Sequence, residues 1–448
     1  MKTEKLKQNV KGYVHQFEDG GLRLLRKGQK GVIHAIFSRF GLVLILLLLQ
    51  VGLLFSIFRW FGNLWPHYFG GSVVVTSAMV IYLLNSKMDN SAKITWMVVV
   101  AIAPVVGIPM FFYVKSNFGH NILRKRLLEL EDQLRGWLPQ SQKAVEQLKA
   151  LEPGAASLAK YLYGRGGGFP VYQNTAMTYF PGGEAKFEEL LRQLETAEEY
   201  IFVEYFIIDE GLMWGKILEV LARKALQGVD VRVMYDGTCE FSTLPRNYPR
   251  LLEKLNIQCK VFSPVQPFVS THYNYRDHRK ILVIDGRVGF TGGVNLADEY
   301  INHIQKHGRW KDAAVMLEGE AVRSLTAQFL QMWGILKEPE YEQFLTRPIP
   351  VPENAKGVAA PYGDCPLDGE RVGEMVYIDM INRARKYVHI ITPYLILDGE
   401  LETALRFAAE RGVDVHLILP GKPDKWFAYA LAKTHYKALL SSGVKISE

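Results

Sequence analysis

Cysteine is scarce in this sequence, with Cys239, Cys259 and Cys365 the only three in 448 residues. They form no CxxC spacing and have no histidine cluster beside them, which argues against both a disulfide framework and a zinc site. Three unpaired thiols fit a reducing compartment. An acidic excess is also lacking. The formal net charge is +7, which suits nucleic acid or an anionic membrane surface equally well. No small-residue cleavage site follows the first apolar run, so residues 1–40 read as a retained basic arm rather than a signal peptide.

What is present divides sharply. Apolar residues make up 48% of the chain and aromatics 12%, enough for a large core. The mean hydropathy of zero hides a strongly apolar region at 41–114. The arm before it carries nine basic side chains against three acidic ones. Three uncharged stretches follow, Gly41–Phe58, Tyr68–Leu84 and Ile94–Val114, each near the ~20 residues that a spanning helix needs. None leaves a polar face, which argues against buried core helices. Pro104, Gly107 and Pro109 suggest that the third is kinked or re-entrant. Basic residues flank both ends, with Arg124, Lys125 and Arg126 on the far side. The positive-inside tendency then places both ends in the cytosol, with two crossings and one re-entrant segment. Three crossings is the alternative. These segments decide between the two anionic partners in favour of lipid, and no nucleic acid is expected.

Residues 120–150 read as an exposed amphipathic helix, with Ile122, Leu127, Leu128, Leu130 and Leu134 among charges. Gly164–Gly168 forms a flexible break, after which the globular part is expected to begin. That part contains a repeat. AEEYIFVEYFIIDEG, a helix and GVDVRVMYDG recur as ARKYVHIITPYLILDGE, a helix and GVDVHLILPG. Gly228 and Gly412 fall where a helix C-terminus needs a left-handed residue. Strand–helix–strand order implies parallel strands, so the class is α/β with two lobes.

The first copy continues into His278-Arg279-Lys280, four apolar residues, Asp285, six residues and Gly292-Gly293-Val294-Asn295. KILVID reads as a buried strand, and alternation puts His278, Lys280 and Leu282 on one face and Arg279 on the other. A neutral imidazole is a competent nucleophile toward phosphorus, and a nearby ammonium neutralises phosphoryl oxygens. Asp285 either orients a histidine or seals the turn. Gly292 and Gly293 let backbone amides approach an anion, and Asn295 adds a neutral donor. The competing reading is a core strand with a satisfied histidine. The fixed offsets of all these residues argue against it.

At these residues the sequence resembles the phospholipase D superfamily, whose signature is HxK(x)4D(x)6G[SG]xN. NYRDHRKILVIDGRVGFTGGVNLADEY, GRWKDAAVMLEGEAV and ITPYLILDGELETALRFAAERGVDVHLILPGKPD resemble bacterial cardiolipin synthases in particular, as does NSAKITWMVVVAIAPVVGIPMFFYV. The resemblance runs from about residue 40 onward. It implies that a histidine attacks one phosphatidylglycerol and expels glycerol. The hydroxyl of a second phosphatidylglycerol then takes the phosphatidyl group, giving cardiolipin. No cofactor and no metal is implied. In the family two motifs meet at one site, one histidine acting as nucleophile and the other as general acid/base.

A second HxK(x)4D is missing from the 448 residues. His435-Tyr436-Lys437 fails, because Ser442 stands where Asp would, and it lies in a helical pattern. The repeat matches that helix to PRNYPRLLEKLN and Gly443 to about Asn256. This places the second motif roughly 10 to 20 residues beyond Glu448. The chain as given is therefore expected to fold but to be inactive alone. Its expected parts are a basic arm at 1–40, a transmembrane region at 41–115 and an amphipathic linker at 116–168. A first phospholipase D-like domain at 169–345 and an incomplete second one at 346–448 follow.

The candidate catalytic residues are His278, Lys280 and Asp285. Candidate substrate contacts are Asn295, Gly292, Gly293, Arg276 and Glu204, with no metal ligand among them. His272 and Asn274 are weaker candidates for the headgroup. Asp312 reads as structural, and Lys422 and Lys425 as a solvated loop. Expected partners are phosphatidylglycerol and anionic lipids at the cell membrane, with the catalytic part cytoplasmic. The oligomeric state is not readable. Another phosphatidyltransferase or a phospholipase D remains an alternative, as do a phospholipase D-like nuclease and an inactive membrane module.

Overall fold

A computed structural model describes residues 65–86, 88, 90–115, 120–263, 276–306 and 308–448, with short pieces at 15–16 and 22–23. The branched, apolar segments after residue 174 form one seven-stranded mixed sheet. Its strands are β1 (Thr175–Phe180), β2 (Tyr200–Tyr205), β3 (Asp230–Asp236), β4 (Gln258–Phe262), β5 (Lys280–Ile284), β6 (Val288–Gly292) and β7 (Ala314–Gly319). The order is β1-β7-β6-β5-β2-β3-β4. β2, β3 and β4 run parallel, joined by a helical crossover, and β5 is antiparallel to β2.

Both faces of this sheet are covered. Along β2, Ile201, Val203 and Tyr205 join the core beneath α7 (Gly183–Leu194) and α8 (Leu212–Leu226). Tyr200 and Phe202 face the other way, toward α10 (Val322–Trp333). Phe202 stacks on Phe329 with centroids 4.4 Å apart. Burying a ring of this size contributes roughly 1.5–3 kcal/mol.

The repeat is realised as expected. β8 (Tyr387–Ile391), α12 (Gly399–Glu410), β9 (Asp414–Ile418), α13 (Trp426–Ser441) and β10 (Lys445–Ser447) build a three-stranded parallel sheet of order β8-β9-β10. Both GVDV segments open strands. Gly228 and Gly412 take φ of 98° and 90°, and Asn256 and Gly443, aligned by the repeat, take 60° and 89°. These left-handed residues end the helices before the strands begin.

Two expectations change. The amphipathic segment is not one exposed helix. It forms α4 (His120–Trp137), α5 (Gln142–Leu151) and α6 (Pro153–Gly164). Pro139 lies in the break between the first two, and Ser141 caps α5 by accepting from the Ala144 amide. Leu127, Leu130 and Leu134 are buried, and Leu127 and Leu134 join the core that includes α10. The globular part therefore takes in this helix well before residue 164.

The apolar region at 65–115 forms a separate unit. Gly41–Phe58 lies outside the described residues. The second stretch falls in α1 (Trp65–Leu84). The third is divided between α2 (Asn90–Ile102) and α3 (Pro104–Lys115). The residue before a proline is driven out of the helical region, which breaks the run at Ala103. At 13 and 12 residues, α2 and α3 reach about 20 Å each, short of the ~30 Å hydrocarbon layer. Among the described residues no helix is long and apolar enough to cross a membrane. The unit packs around Leu83, Val100 and Phe111, while Val74 and Ile102 stay 69% and 80% exposed.

Candidate active site

The motif is held by the strand it opens and by the segment before it. Lys280 is the first residue of β5 and pairs with Tyr205 on β2. The buried Asp236 carboxylate accepts from the amides of Asp277 (3.0 Å) and Thr238 (2.8 Å). Arg276 donates to the Ser263 carbonyl at 3.0 Å. Residues 276–279 are thus pinned before the strand starts.

His278 and Lys280 meet as the strand phase predicts. The exposed His278 ring packs against Phe206 at 4.7 Å between centroids. The buried Lys280 ammonium lies 5.4 Å from the same Phe206 ring. It donates to the His278 carbonyl at 2.7 Å. Burial pushes the His278 imidazole down to about 4, helped by the charges of Lys280 and Lys425. Solvent at the open edge of the ring moderates this depression. Burial brings Lys280 down to about 8, opposed by Asp277 and Asp312. At neutral pH the pair is therefore a neutral imidazole beside an ammonium, which suits nucleophilic attack on a phosphodiester.

The glycines and Asn295 are placed differently from expectation. The Gly293 amide donates to the Ala313 carbonyl at 2.9 Å, so it is not free for an anion. A Cβ on Gly293 would sit 1.9 Å from Asp312 Oδ1, and one on Gly292 2.6 Å from β7 backbone. Close packing accounts for glycine at both positions. Asn295 is buried and used internally. Its Oδ1 accepts from the Ile207 amide (3.1 Å), and its Nδ2 donates to the Tyr300 hydroxyl (2.8 Å). Asp298 accepts from the Leu212 and Met213 amides at the start of α8. Together Asn295 and Asp298 staple the motif's glycine turn to the loop between β2 and α8.

Asp285 stands at the far end of β5, about 17 Å of strand from Lys280. Its φ is 51°. Its carboxylate accepts from the amides of Glu198 (2.9 Å), Glu199 (2.8 Å) and Tyr200 (2.8 Å). Of the two roles open to it, Asp285 seals the turn at the start of β2 and does not orient His278.

Glu204 lies fully buried on the sheet face opposite Lys280, and neither of its oxygens has a hydrogen-bond donor among the described residues. Burial and the Asp277 charge hold its carboxyl well above the usual range. Burial raises Asp277 too, against the pull of Arg279. Arg279 stands 3.9 Å from Glu204. Burial thus holds both carboxyls toward the protonated form, with the Arg279 charge opposing this.

Sequence reasoning missed Asp277, Gln328 and Lys186. Lys186 is 1% exposed and donates to the Tyr205 hydroxyl (3.0 Å) and the Val294 carbonyl (3.1 Å). Burial lowers it to about 7. Its signal was available, since it shares the buried stripe of α7 with Leu190 and Leu194. His272 and Asn274 lie outside the described residues.

A family model described as cardiolipin synthase, PLD-like domain, matches residues 190–333 and 377–448. A cardiolipin synthase from Geobacillus kaustophilus is 34% identical over 382 residues, covering 84% of this chain and 74% of that protein. The chain belongs to the cardiolipin synthase family. An uncharacterized protein from Streptococcus mutans is 54% identical over 370 residues, covering 82% of this chain and 80% of that one. Among solved structures, the chain is similar to phosphatidylserine synthase from Haemophilus influenzae, with a TM-score of 0.41 and 14% identity. That alignment covers 60% of this chain and 69% of that one.

In this member of the cardiolipin synthase family the second lobe also reaches the motif. Lys425, after β9, packs over Tyr394 at 4.6 Å, and the Tyr394 hydroxyl donates to Asp424 at 2.6 Å. The Lys425 charge is felt at His278 and that of Asp424 at Tyr300. The loop expected to be merely solvated therefore contributes to the electrostatics of the site, while Lys422 stays exposed. Glu374, Asp398 and Glu400 bring three carboxylates within 4.8 Å of one another. Arg371 pairs with Glu374 at 3.1 Å and Asp398 at 3.5 Å.

Proposed function

We propose that this chain takes part in phosphatidyl transfer between two phosphatidylglycerol molecules, with His278 as the nucleophile. The carrying observation is the exposed His278 imidazole beside the buried Lys280 ammonium, which donates to the His278 backbone carbonyl. The imidazole attacks phosphorus, the P–O bond to the headgroup breaks, and glycerol leaves with a proton supplied by a general acid. The hydroxyl oxygen of the second phosphatidylglycerol then attacks the phosphorus of phosphatidyl-His278, forming a P–O bond as the P–N bond breaks. It gives up its proton and regenerates the imidazole. Two phosphatidylglycerols become one cardiolipin and one glycerol. Lys280 neutralises the phosphoryl oxygens in both steps.

The setting we propose is the cell membrane, with the catalytic part on the cytoplasmic side. The long apolar stretches, the basic arm and the exposed Val74 and Ile102 of the α1–α3 unit support it. The test is to supply the full-length protein with phosphatidylglycerol vesicles and quantify cardiolipin, glycerol and phosphatidic acid. Cardiolipin and glycerol in equal amounts support the proposal. Phosphatidic acid alone makes water the acceptor and the activity that of a phospholipase D.

A further inference from the structure

A cavity of about 600 Å3 opens beside His278. Its wall is formed by the motif segment Asp277–Lys280, Gln328 on α10, Gly363 between the lobes and Leu128 on α4. A space of this volume suits a ligand of small-molecule size.

Two wall side chains are buried polar groups with open hydrogen-bonding capacity. Gln328 is 2% exposed and its Nε2 has no partner among the described residues. Asp277 is 3% exposed and its Oδ2 is likewise unmatched, as are both oxygens of Glu204 behind it. An open donor, Gln328 Nε2, and an open acceptor, Asp277 Oδ2, thus belong to the wall of the same cavity. Buried polar groups rarely remain so without a function or a ligand.

An alcohol hydroxyl answers both needs, because it donates and accepts. A phosphate in the same place would face the two carboxyls. An ammonium headgroup would face Arg279, whose Nη1 donates to the Gln328 carbonyl at 3.4 Å. A neutral polyol meets neither obstacle. We propose that this cavity holds the glycerol moiety of the acceptor headgroup, with Gln328 and Asp277 as its specificity-determining contacts. The proposal rests on the phosphatidyl-transfer reading above. It also explains Gly363, where a Cβ would stand 2.8 Å from Gln328 Oε1 and 3.3 Å from Arg279 Nη2.

The experiment is an internal competition. Full-length protein receives phosphatidylglycerol vesicles as donor, with isotopically labelled glycerol and 1-propanol at equal concentration. Labelled phosphatidylglycerol and phosphatidylpropanol are then measured in one tube. Wild type should favour glycerol by about tenfold or more, as expected of a site built to hydrogen-bond hydroxyls. Gln328→Leu and Gly363→Ala should each lower that ratio by about tenfold. Both products draw on the same phosphatidyl-enzyme, so any loss of folded protein cancels. An unchanged ratio in both variants, or a wild-type ratio near one, overturns the proposal. Wild type that forms no phosphatidyl product from any acceptor instead overturns the transfer reading beneath it.

Discussion

β2 and β8 occupy the same place in the repeat and differ in almost everything else. β2 is buried along all six residues, with β3 on one edge and β5 on the other. β8 has β9 on one edge and no strand on the other among the described residues. Tyr387 and Ile391 at its ends are 64% and 62% exposed. The edge that β8 leaves open corresponds to the one where β5 brings His278 and Lys280 to β2. Local sequence is therefore enough to make strand, helix and strand twice. The partner strand is what turns a repeat unit into a buried sheet with a motif at its end.

That comparison can be broken from its functional side first. His278→Ala in the full-length protein should lower phosphatidyl transfer by several orders of magnitude, as removal of a nucleophile does, while far-UV circular dichroism and the unfolding midpoint stay unchanged. Wild-type-like turnover would show that β5 does not carry the site. Next comes packing. Phe202→Ala on β2 should cost about 3–5 kcal/mol in denaturant unfolding, whereas Ile391→Ala on β8 should cost less than about 1 kcal/mol. Equal costs would mean that the two strands share an environment after all.

Asp285→Ala sharpens the separation of fold from chemistry. Losing the acceptor for three amides should destabilise the first lobe by about 1–3 kcal/mol, with activity per folded molecule largely kept. A large loss of activity in folded protein would return Asp285 to the chemistry. The smallest effect is on pH. With His278 lowered from its ordinary value and Lys280 lowered to about 8, the imidazole is neutral and the ammonium charged near neutrality. The rate should be flat there, falling in acid below the ordinary imidazole range as the nucleophile is protonated and above about 8 as Lys280 loses its charge. A rate that climbs steadily past pH 8 would remove the ammonium from the mechanism.

The sequence made the repeat legible because its signals are local. The GVDV openings and the left-handed Gly228 and Gly412 need no distant partner. The motif was legible for a similar reason, since its residues stand at fixed offsets along one segment, although Asp236 and Ser263 help to pin the residues around His278. The uses of Asn295 and Gly293 were not, because their partners, Ile207 and Ala313, are set by tertiary contact. The burial of α4 was hidden similarly, because an amphipathic stripe does not say what will cover it. Gln328 lies 50 residues after His278 and reads as an ordinary helical polar residue until α10 packs beneath β5. Pro104 did announce the break in the third apolar stretch.

The most direct test of the central claim is chemical trapping. Full-length protein is mixed with phosphatidylglycerol labelled in its phosphate, quenched within the first turnover in alkali, which preserves phosphoramidate bonds, and analysed by peptide mass spectrometry. The account predicts a phosphatidyl group on His278, absent from His278→Ala. Label on another residue, or turnover to cardiolipin with His278 unmodified in a quench that preserves a control phosphohistidine, would contradict it.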